Sequence, residues 1–141
     1  MLTTDLATMT VPAHLESVAR GMTFVVAWVT AAGLPPRRVS AIEIAVEEVL
    51  VNTCRHGAVD RAGTIEIRCM RDETQHLRIE FIDTGRPFDI LTLPAPDFLA
   101  DLNQRPVGGL GVWLIRTLVD TVTYRREGCR NILQLGVQLP R

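Results

Sequence analysis

Apolar residues repeat with two different periods along this chain, and the change of period is the feature that most constrains its fold. From Ala13 to Ala32, and again from Pro35 to Gly57, they recur three and four positions apart, as in helices that pack through one face. From Thr64 onward they alternate with polar residues, as in strands. Strands that alternate in this way bury one face, so we expect the helices to cover only that face of the sheet.

Local signals place the ends of the helices. Gly33 fits the left-handed residue that ends a helix, and the two prolines that follow suit the start of the next one. A third helix is predicted over Val112 to Asp120. Only a short strand, Thr8 to Val11, is predicted near the start of the chain, so that two helices precede any substantial sheet.

Two hairpins complete the predicted sheet. Their turns are the polar segments RDETQH, residues 71 to 76, and EGCR, residues 127 to 130. The predicted inward positions are Ile65, Ile67 and Cys69 in the first strand, Leu77, Ile79 and Phe81 in the second, Val122 and Tyr124 in the third, and Leu133, Leu135, Val137 and Leu139 in the fourth.

Size and charge narrow the class of protein. With 141 residues, 47% of them hydrophobic, we expect one globular domain over residues 1 to 141. The formal charge is -1 and no basic run is longer than two arginines, which argues against nucleic acid as the main partner. Three cysteines without a C-x-x-C pair, no apolar leader and no stretch long enough to span a membrane favour a reduced, cytoplasmic protein.

The absence of lysine excludes several chemistries. All fifteen basic residues are arginine. A P-loop and a eukaryotic-type protein kinase each hold phosphates with a lysine, and a Schiff base needs a lysine amine. All three classes are therefore excluded.

The second helix carries a candidate catalytic stripe. At 100° per residue, Glu48, Asn52 and His56 fall together at the margin of its apolar face. An Asn carbonyl oxygen suits Mg²⁺, and a carboxylate one turn earlier could take a proton from a hydroxyl or water that attacks a phosphorus atom. The alternative is a solvated helix edge, with His56 as a packing or capping residue.

A second candidate is the segment FIDTGRPFD, residues 81 to 89. The Asp83 carboxylate could accept a hydrogen bond from the exocyclic amine of adenine, and Gly85, without a Cβ, would let the backbone approach the ring. The alternative is an ordinary D-x-G turn stiffened by Pro87, with Phe88 in the core in either case.

A third candidate is the glycine cluster before the predicted third helix. Gly108, Gly109 and Gly111 precede that helix, and free N–H groups at a helix start attract phosphate oxygens. A flexible hinge explains the glycines equally well. Arg105 could reach a phosphate or be solvated. The long stretch rich in proline and glycine from Ile90 to Gly111 is typical of a functional or disordered loop.

Taken together, these segments resemble the GHKL ATPases, the superfamily of DNA gyrase and sensor histidine kinases, and within it the bacterial anti-sigma-factor serine kinases. EEVLVNTCRHG is similar to the Asn box of that family, DTGRPFD to its first glycine box, and the run from GGLG to NILQL to its second glycine box with the following helix and hairpin. The resemblance covers nearly the whole chain. It implies an α+β fold of Bergerat type, a two-layer sandwich with helices on one face of a mixed, mostly antiparallel sheet.

The resemblance also implies roles for particular residues. Glu48 would be the general base, Asn52 the Mg²⁺ ligand and Asp83 the carboxylate that reads adenine. Gly109 and Gly111 would lie in a lid over the phosphates of ATP. The residues implied to contact the nucleotide are Asn52, His56, Asp83, Gly85, Pro87, Phe88, Arg105, Gly108, Gly109, Leu110 and Gly111.

Within that superfamily the residue four positions before the Asn separates two groups. Histidine kinases commonly have Asn there, whereas serine kinases and ATPases have Glu, as Glu48 is here. We therefore expect an ATP- and Mg²⁺-dependent serine/threonine kinase that acts as an anti-sigma factor and phosphorylates an anti-sigma-antagonist protein. The alternatives are a non-catalytic ATP-binding module that sequesters a partner, and an ATPase without an acceptor.

A sigma factor and a second copy of the chain are the other implied partners. Ile44 and Val51, on the far side of the second helix, would suit a dimer interface or be covered by the first helix.

Overall fold

The structure, a computed structural model, describes residues 3–57, 63–93 and 109–140. Three helices and five strands make up most of it. In chain order they are β1 (Thr3–Pro12), α1 (Val18–Ala31), α2 (Pro36–Asn52), β2 (Thr64–Asp72), β3 (His76–Asp83), α3 (Gly109–Leu118), β4 (Thr121–Glu127) and β5 (Arg130–Gln138). Short 3-10 turns occupy Leu15–Ser17 and Ile90–Thr92, and one π-helical turn, Thr53–Gly57, continues α2.

The five strands form one sheet in the order β1-β2-β3-β5-β4. All four strand pairs among the described residues are antiparallel. Ile67 of β2 lies opposite Met9 on one side and Phe81 on the other, so these inward positions share one face. The helices pack on that face, which confirms the predicted two-layer α+β sandwich. No described pairing is parallel, so the mixed part of the expected sheet is not found in this part of the chain.

The prediction that two helices precede any substantial sheet is wrong. β1 is a ten-residue strand that pairs with β2 along its length. Its sequence, TTDLATMTVP, shows little alternation of apolar and polar residues before Thr8. As an edge strand, β1 has only one neighbouring strand, and Leu6 is 52% exposed, so this part of the strand needs few apolar residues. Only the part with clear alternation, Thr8 to Val11, was predictable.

The junction between α1 and α2 lies where Gly33 and the two prolines predict it. Gly33 has φ of +102°. Its N–H donates to Thr30 O at 3.1 Å and the N–H of Leu34 donates to Val29 O at 3.1 Å, which together satisfy the last carbonyls of α1. Leu34 is buried beneath this turn. Pro36 then begins α2, where its missing N–H removes no intrahelical bond.

α1 and α2 pack closely on the sheet, and a glycine makes this contact possible. A Cβ at Gly21 would lie 2.7 Å from Leu50 Cδ1 and 3.0 Å from Ile67 Cδ1, so the backbone of α1 rests directly on α2 and β2. All the predicted inward positions of β2, β3 and β5 are buried. Val122 and Tyr124 are only half-buried, since β4 is the other edge of the sheet.

The β2–β3 turn is shorter than the predicted six-residue loop because Asp72 organises it. Its Oδ1 accepts from Thr74 Oγ1 at 2.6 Å, Thr74 N at 2.9 Å and His76 N at 3.1 Å. Gln75 takes the left-handed conformation, with φ of +62°. The hydrogen bond from the Thr74 hydroxyl, helped by the two backbone N–H groups and by Arg78, holds the pKa of Asp72 below its ordinary value against the opposing effect of burial.

No helix within the described ranges is long and apolar enough to cross a membrane.

Candidate functional site

Residues from two of the three candidate segments meet where α3 crosses α2. A Cβ at Gly111 would collide with Glu48 Oε2 and would lie 3.1 Å from Glu48 Cδ and 3.5 Å from Asn52 Nδ2. Only a residue without a Cβ lets α3 approach the carboxylate so closely. The start of α3, whose first backbone N–H groups have no acceptor within the helix, is therefore held beside an acid and an amide of α2.

Gly109 and Gly111 do not precede the third helix as predicted, because both lie within it. α3 begins at Gly109, so Gly109, Leu110 and Gly111 form its first turn. The physical reason lies in packing, since the close contact at Gly111 favours a helical turn against α2. Gly108 and Arg105 lie outside the described residues, as does most of the long loop that precedes them.

Glu48 is half-buried, whereas its neighbour Glu47 is exposed. Burial raises the pKa of the Glu48 carboxyl, the charge of Glu47 raises it further, and Arg55 opposes both effects. A carboxyl whose pKa is moved toward neutrality is better matched to proton transfer than an exposed one. Of the two adjacent glutamates, only Glu48 faces α3.

Asn52 is 3% exposed, so its amide is one of the few buried polar groups among the described residues. Its Nδ2 donates to the carbonyl oxygen of Glu48 at 2.7 Å. This bond uses an N–H of the amide, so Oδ1 is not engaged with the Glu48 carbonyl. The predicted pair of acid and amide is thus confirmed to lie on one stripe of α2, although Asn52 is buried rather than solvated.

The π-helical turn after Asn52 changes where His56 points. A π turn holds more residues than an α turn, so residues beyond it no longer follow the stripe of α2. The His56 ring stacks on Phe88, with centroids 5.0 Å apart and planes 23° apart. Arg86 Nε donates to the His56 carbonyl oxygen at 2.9 Å. The sequence alternative of a packing histidine describes this geometry well.

Asp83 ends β3 and is buried. Its Oδ1 accepts from Gly85 N at 2.9 Å and from Asn131 Nδ2 at 3.0 Å. Neither bond involves Oδ2, so this oxygen is without a hydrogen bond to any described residue. The D-x-G turn thus uses Gly85 through its backbone N–H.

A small cavity opens beside Asp83. Phe88 lines it, as predicted for a residue that packs against the core, whereas Pro87 is exposed and does not. The lining residues are Thr53, Phe81, Asp83, Phe88, Ile90, Tyr124, Asn131 and Leu133.

Sequence reasoning assigned no site role to three polar residues of the β4–β5 hairpin near Asp83. Asn131 and Tyr124 line the cavity, and the Tyr124 hydroxyl and Arg126 Nη1 both donate to Asn131 Oδ1. A signal for them existed. The inward alternation of Leu133, Leu135 and Val137 extends back to Asn131, and that of Val122 and Tyr124 extends on to Arg126, so polar residues occupied inward positions at the strand ends.

The predicted interface residues on α2 have different surroundings. Ile44 is 44% exposed, so α1 does not cover it, while Val51 is half-buried.

Helices on one face of a five-stranded antiparallel sheet place the chain in the class of two-layer α+β sandwich domains. Solved structures share this fold. The RsbU and RsbW domains of a Mycobacterium tuberculosis protein superpose with a TM-score of 0.70 and 18% identity over 98% of this chain, which spans 33% of that larger structure. The histidine kinase domain of a blue-light activated histidine kinase from Erythrobacter litoralis gives 0.55 and 21% over 92% of this chain and 62% of the other.

The family follows from sequence comparison. A family model described as "Histidine kinase-like ATPase domain" matches residues 11–137, and the chain belongs to that family. Similar curated proteins are named serine-protein kinase RsbW. The protein from Listeria monocytogenes is 31% identical over 92% of this chain and 85% of its own length, and that from Listeria innocua is 30% identical over the same shares.

Proposed function

We propose that this chain is an ATP-dependent protein serine kinase that acts as an anti-sigma factor by phosphorylating a serine of an anti-sigma-antagonist protein. The observation that carries the proposal is the contact of Gly111 with Glu48 and Asn52, because it gathers a base, a cation ligand and a helix start at one point. The similarity to proteins named serine-protein kinase RsbW supports the choice of serine as acceptor.

The chemistry of the residues fits an adenine nucleotide. Asp83 is a buried acceptor whose Oδ2 is without a bond to the described residues, and an exocyclic amine is a donor that suits it. Apolar side chains line the same cavity, among them Phe81 and Leu133, and apolar walls suit the flat face of a base. The cavity measures only about 20 Å³ in this structure, so these side chains would have to move apart to admit a base. Asp83 would therefore select the amine, while Gly85 keeps the neighbouring backbone without a Cβ.

The residues also fit one divalent cation that is bound mainly by phosphate oxygens. Within the described ranges no three His, Cys, Asp or Glu side chains form a cluster that could hold a metal ion. Mg²⁺ commonly takes one or two protein ligands and completes its shell with water and phosphate. Asn52 Oδ1 would be such a ligand, since Nδ2 of the same amide is already bound to the helix backbone.

Glu48 would act as general base. Its raised pKa suits the acceptance of a proton from a serine hydroxyl. ATP would supply the γ-phosphoryl group: the serine oxygen would bond to the γ-phosphorus as the bond from that phosphorus to the ADP oxygen breaks, and Glu48 would accept the serine proton. The N–H groups in the first turn of α3, which have no acceptor within the helix, would attract phosphate oxygens at the same place. Positioning and charge neutralisation then account for most of the catalysis.

The biological setting of this proposal comes from the resemblance. A sigma factor, the antagonist and a second copy of the chain are the proposed partners, in the cytoplasm. The exposed Ile44 on α2 supports an interface on that side.

Glu48→Gln tests the catalytic role, with Glu47→Gln as its matched control. Both variants remove one carboxylate from adjacent positions of α2, but only Glu48 faces α3. With labelled ATP and the candidate antagonist, we expect Glu48→Gln to lower phosphoserine formation by roughly 10²- to 10⁴-fold and Glu47→Gln to leave it near normal. Calorimetry with ATP and magnesium should give similar heats for both variants.

Three results would contradict the proposal in different ways. Equal transfer by wild type and Glu48→Gln removes Glu48 from the mechanism. Tight nucleotide binding without labelled serine supports a non-catalytic module that sequesters its partner. Phosphate release by the wild-type protein alone, at the same rate with and without antagonist, indicates an ATPase without an acceptor.

A further inference from the structure

The second residue of β5 is a buried polar residue on the inward face of the sheet. Asn131 is 4% exposed and lies opposite Asp83 of β3 on one side and Arg126 of β4 on the other. Burial of an amide in such a place is costly unless its hydrogen-bonding groups are satisfied.

The Asn131 amide is fully bonded to the protein. Nδ2 donates to Asp83 Oδ1 at 3.0 Å and to the carbonyl oxygen of Arg86 at 2.8 Å. Oδ1 accepts from the Tyr124 hydroxyl, from Arg126 Nη1 at 3.2 Å and from Phe88 N at 3.3 Å. An amide has two N–H donors and two lone pairs, so this set leaves nothing for a ligand.

The same partners fix which way the amide faces. The two groups near Nδ2 are a carboxylate and a carbonyl, which only accept, whereas all three groups near Oδ1 can donate. A flipped amide could keep only the bond to the Tyr124 hydroxyl, which can also accept, and would lose the other four. The hydroxyl of Tyr124 and the guanidinium of Arg126 therefore hold the amide so that its N–H points at Asp83.

Arg126 extends the network to the turn after β3. Its Nη1 also donates to the carbonyl oxygen of Gly85 at 2.8 Å, and its Nε donates to the carbonyl of Gly128 at 3.1 Å. The β4–β5 hairpin thus holds both the side chain of Asp83 and the backbone two residues further on. Asp83 Oδ1 is occupied by these internal bonds, and Oδ2 is the oxygen left to face a ligand.

We propose that Asn131 is a positioning residue that orients the Asp83 carboxylate toward the amine of the bound base, and that Tyr124 and Arg126 hold Asn131 in place. The inference rests on the proposed binding of ATP at Asp83 and names the residue that sets its preference for an amine-bearing base. Asn131 itself would make no hydrogen bond to the nucleotide, because its amide has no hydrogen-bonding capacity left.

The test compares ATP with inosine triphosphate, in which a carbonyl oxygen replaces the exocyclic amine. Wild-type protein should bind ATP roughly 10- to 100-fold more tightly, as expected for one hydrogen bond to a carboxylate. Asn131→Ala should reduce that ratio to within about threefold by weakening ATP binding. General loosening of the fold would weaken both nucleotides equally and leave the ratio unchanged.

Two further variants show whether Asn131 acts through Asp83. Asp83→Ala should also abolish the preference, and adding Asn131→Ala to it should produce no further change, because a residue that acts through another is not additive with it. Gln134→Ala, three positions along β5 and on the opposite face of the sheet, is the control and should keep the wild-type ratio. If Asn131→Ala does not fold, Tyr124→Phe, which removes one donor to Asn131 and keeps the ring, should lower the ratio in the same direction.

The outcomes separate this inference from the function on which it rests. Wild-type protein that binds neither nucleotide overturns both. Wild-type protein that prefers ATP, with folded Asn131→Ala or Tyr124→Phe keeping the full preference, overturns the positioning role alone. If Asn131→Ala changes the ratio of ATP to inosine triphosphate affinity further in the Asp83→Ala background, that result also contradicts the positioning role.

Discussion

Replacement of Gly111 by alanine should slow serine phosphorylation without lowering the free energy of unfolding. The new Cβ would lie 3.1 Å from Glu48 Cδ and would collide with one of its oxygens. Carbon atoms in contact normally lie about 3.5 to 4.0 Å apart, so the carboxylate must move by roughly 0.5 to 1 Å. Since Glu48 ends in a flexible, half-buried side chain, that movement costs the fold little.

The free energy of unfolding should therefore change little or rise. Gly111 lies in α3 without a positive φ, and alanine in a helix is about 0.5 to 1 kcal/mol better than glycine. Serine phosphorylation should nevertheless fall by about 10²-fold, because a displacement near 1 Å of a catalytic group has an effect of that size.

The matched control is Gly21→Ala, the same substitution in α1. There the Cβ would lie 2.7 Å from Leu50 and 3.0 Å from Ile67 in the core, and overpacking costs about 1 to 3 kcal/mol. Urea unfolding and labelled-ATP transfer on both variants should give opposite patterns: Gly21→Ala less stable with near-normal transfer per folded molecule, Gly111→Ala stable and slow. Normal phosphoryl transfer by Gly111→Ala would refute the contact between α3 and the Glu48 carboxylate.

Three other predictions concern single side chains. Asp72→Ala should lower the free energy of unfolding by about 1 to 3 kcal/mol at pH 7 in urea titrations. Because folding lowers the pKa of Asp72, wild type should exceed Asp72→Asn in free energy of unfolding by the full amount above the unfolded pKa of about 4, and the excess should shrink as pH falls further. The rate of serine phosphorylation should decline on acidification at a higher pH than an ordinary glutamate would give, because the pKa of Glu48 is raised. The charge of Glu48 opposes folding once the pH exceeds that pKa, so Glu48→Gln should be no less stable than wild type at pH 7. Phe88→Ala should weaken ATP binding and remove the ring that stacks on His56, detectable as an altered His56 chemical shift, whereas an unchanged shift would contradict the stack.

Much of the fold was predictable because its helices and central strands have clean periods. The apolar positions of α2 and the alternation of β2 and β3 each indicate one buried face, and those faces are buried. The length of β1 was not predictable, since an edge strand needs few apolar residues. The π turn after Asn52 was also hidden, because hydrophobic periodicity over five residues does not distinguish it from an α turn.

The site was predictable in part for a different reason. Glu48 and Asn52 are four residues apart on one helix, so their proximity follows from helix geometry alone. The link between Asp83 and Asn131 spans 48 residues and depends on the register of β3 with β5, which local patterns do not set. The signal that remained was a polar residue at an inward position.

The position of β5 within the sheet has a consequence for how the protein is made. Although β5 is the last strand in sequence, it lies between β3 and β4 and supplies Asn131. A ribosome that has translated as far as β4 has produced a chain whose β3 still has an open edge, which exposes its backbone to wrong pairing. The cavity beside Asp83 can close only after residue 138 has left the exit tunnel, so nascent chains halted earlier should depend on chaperones and should not retain nucleotide.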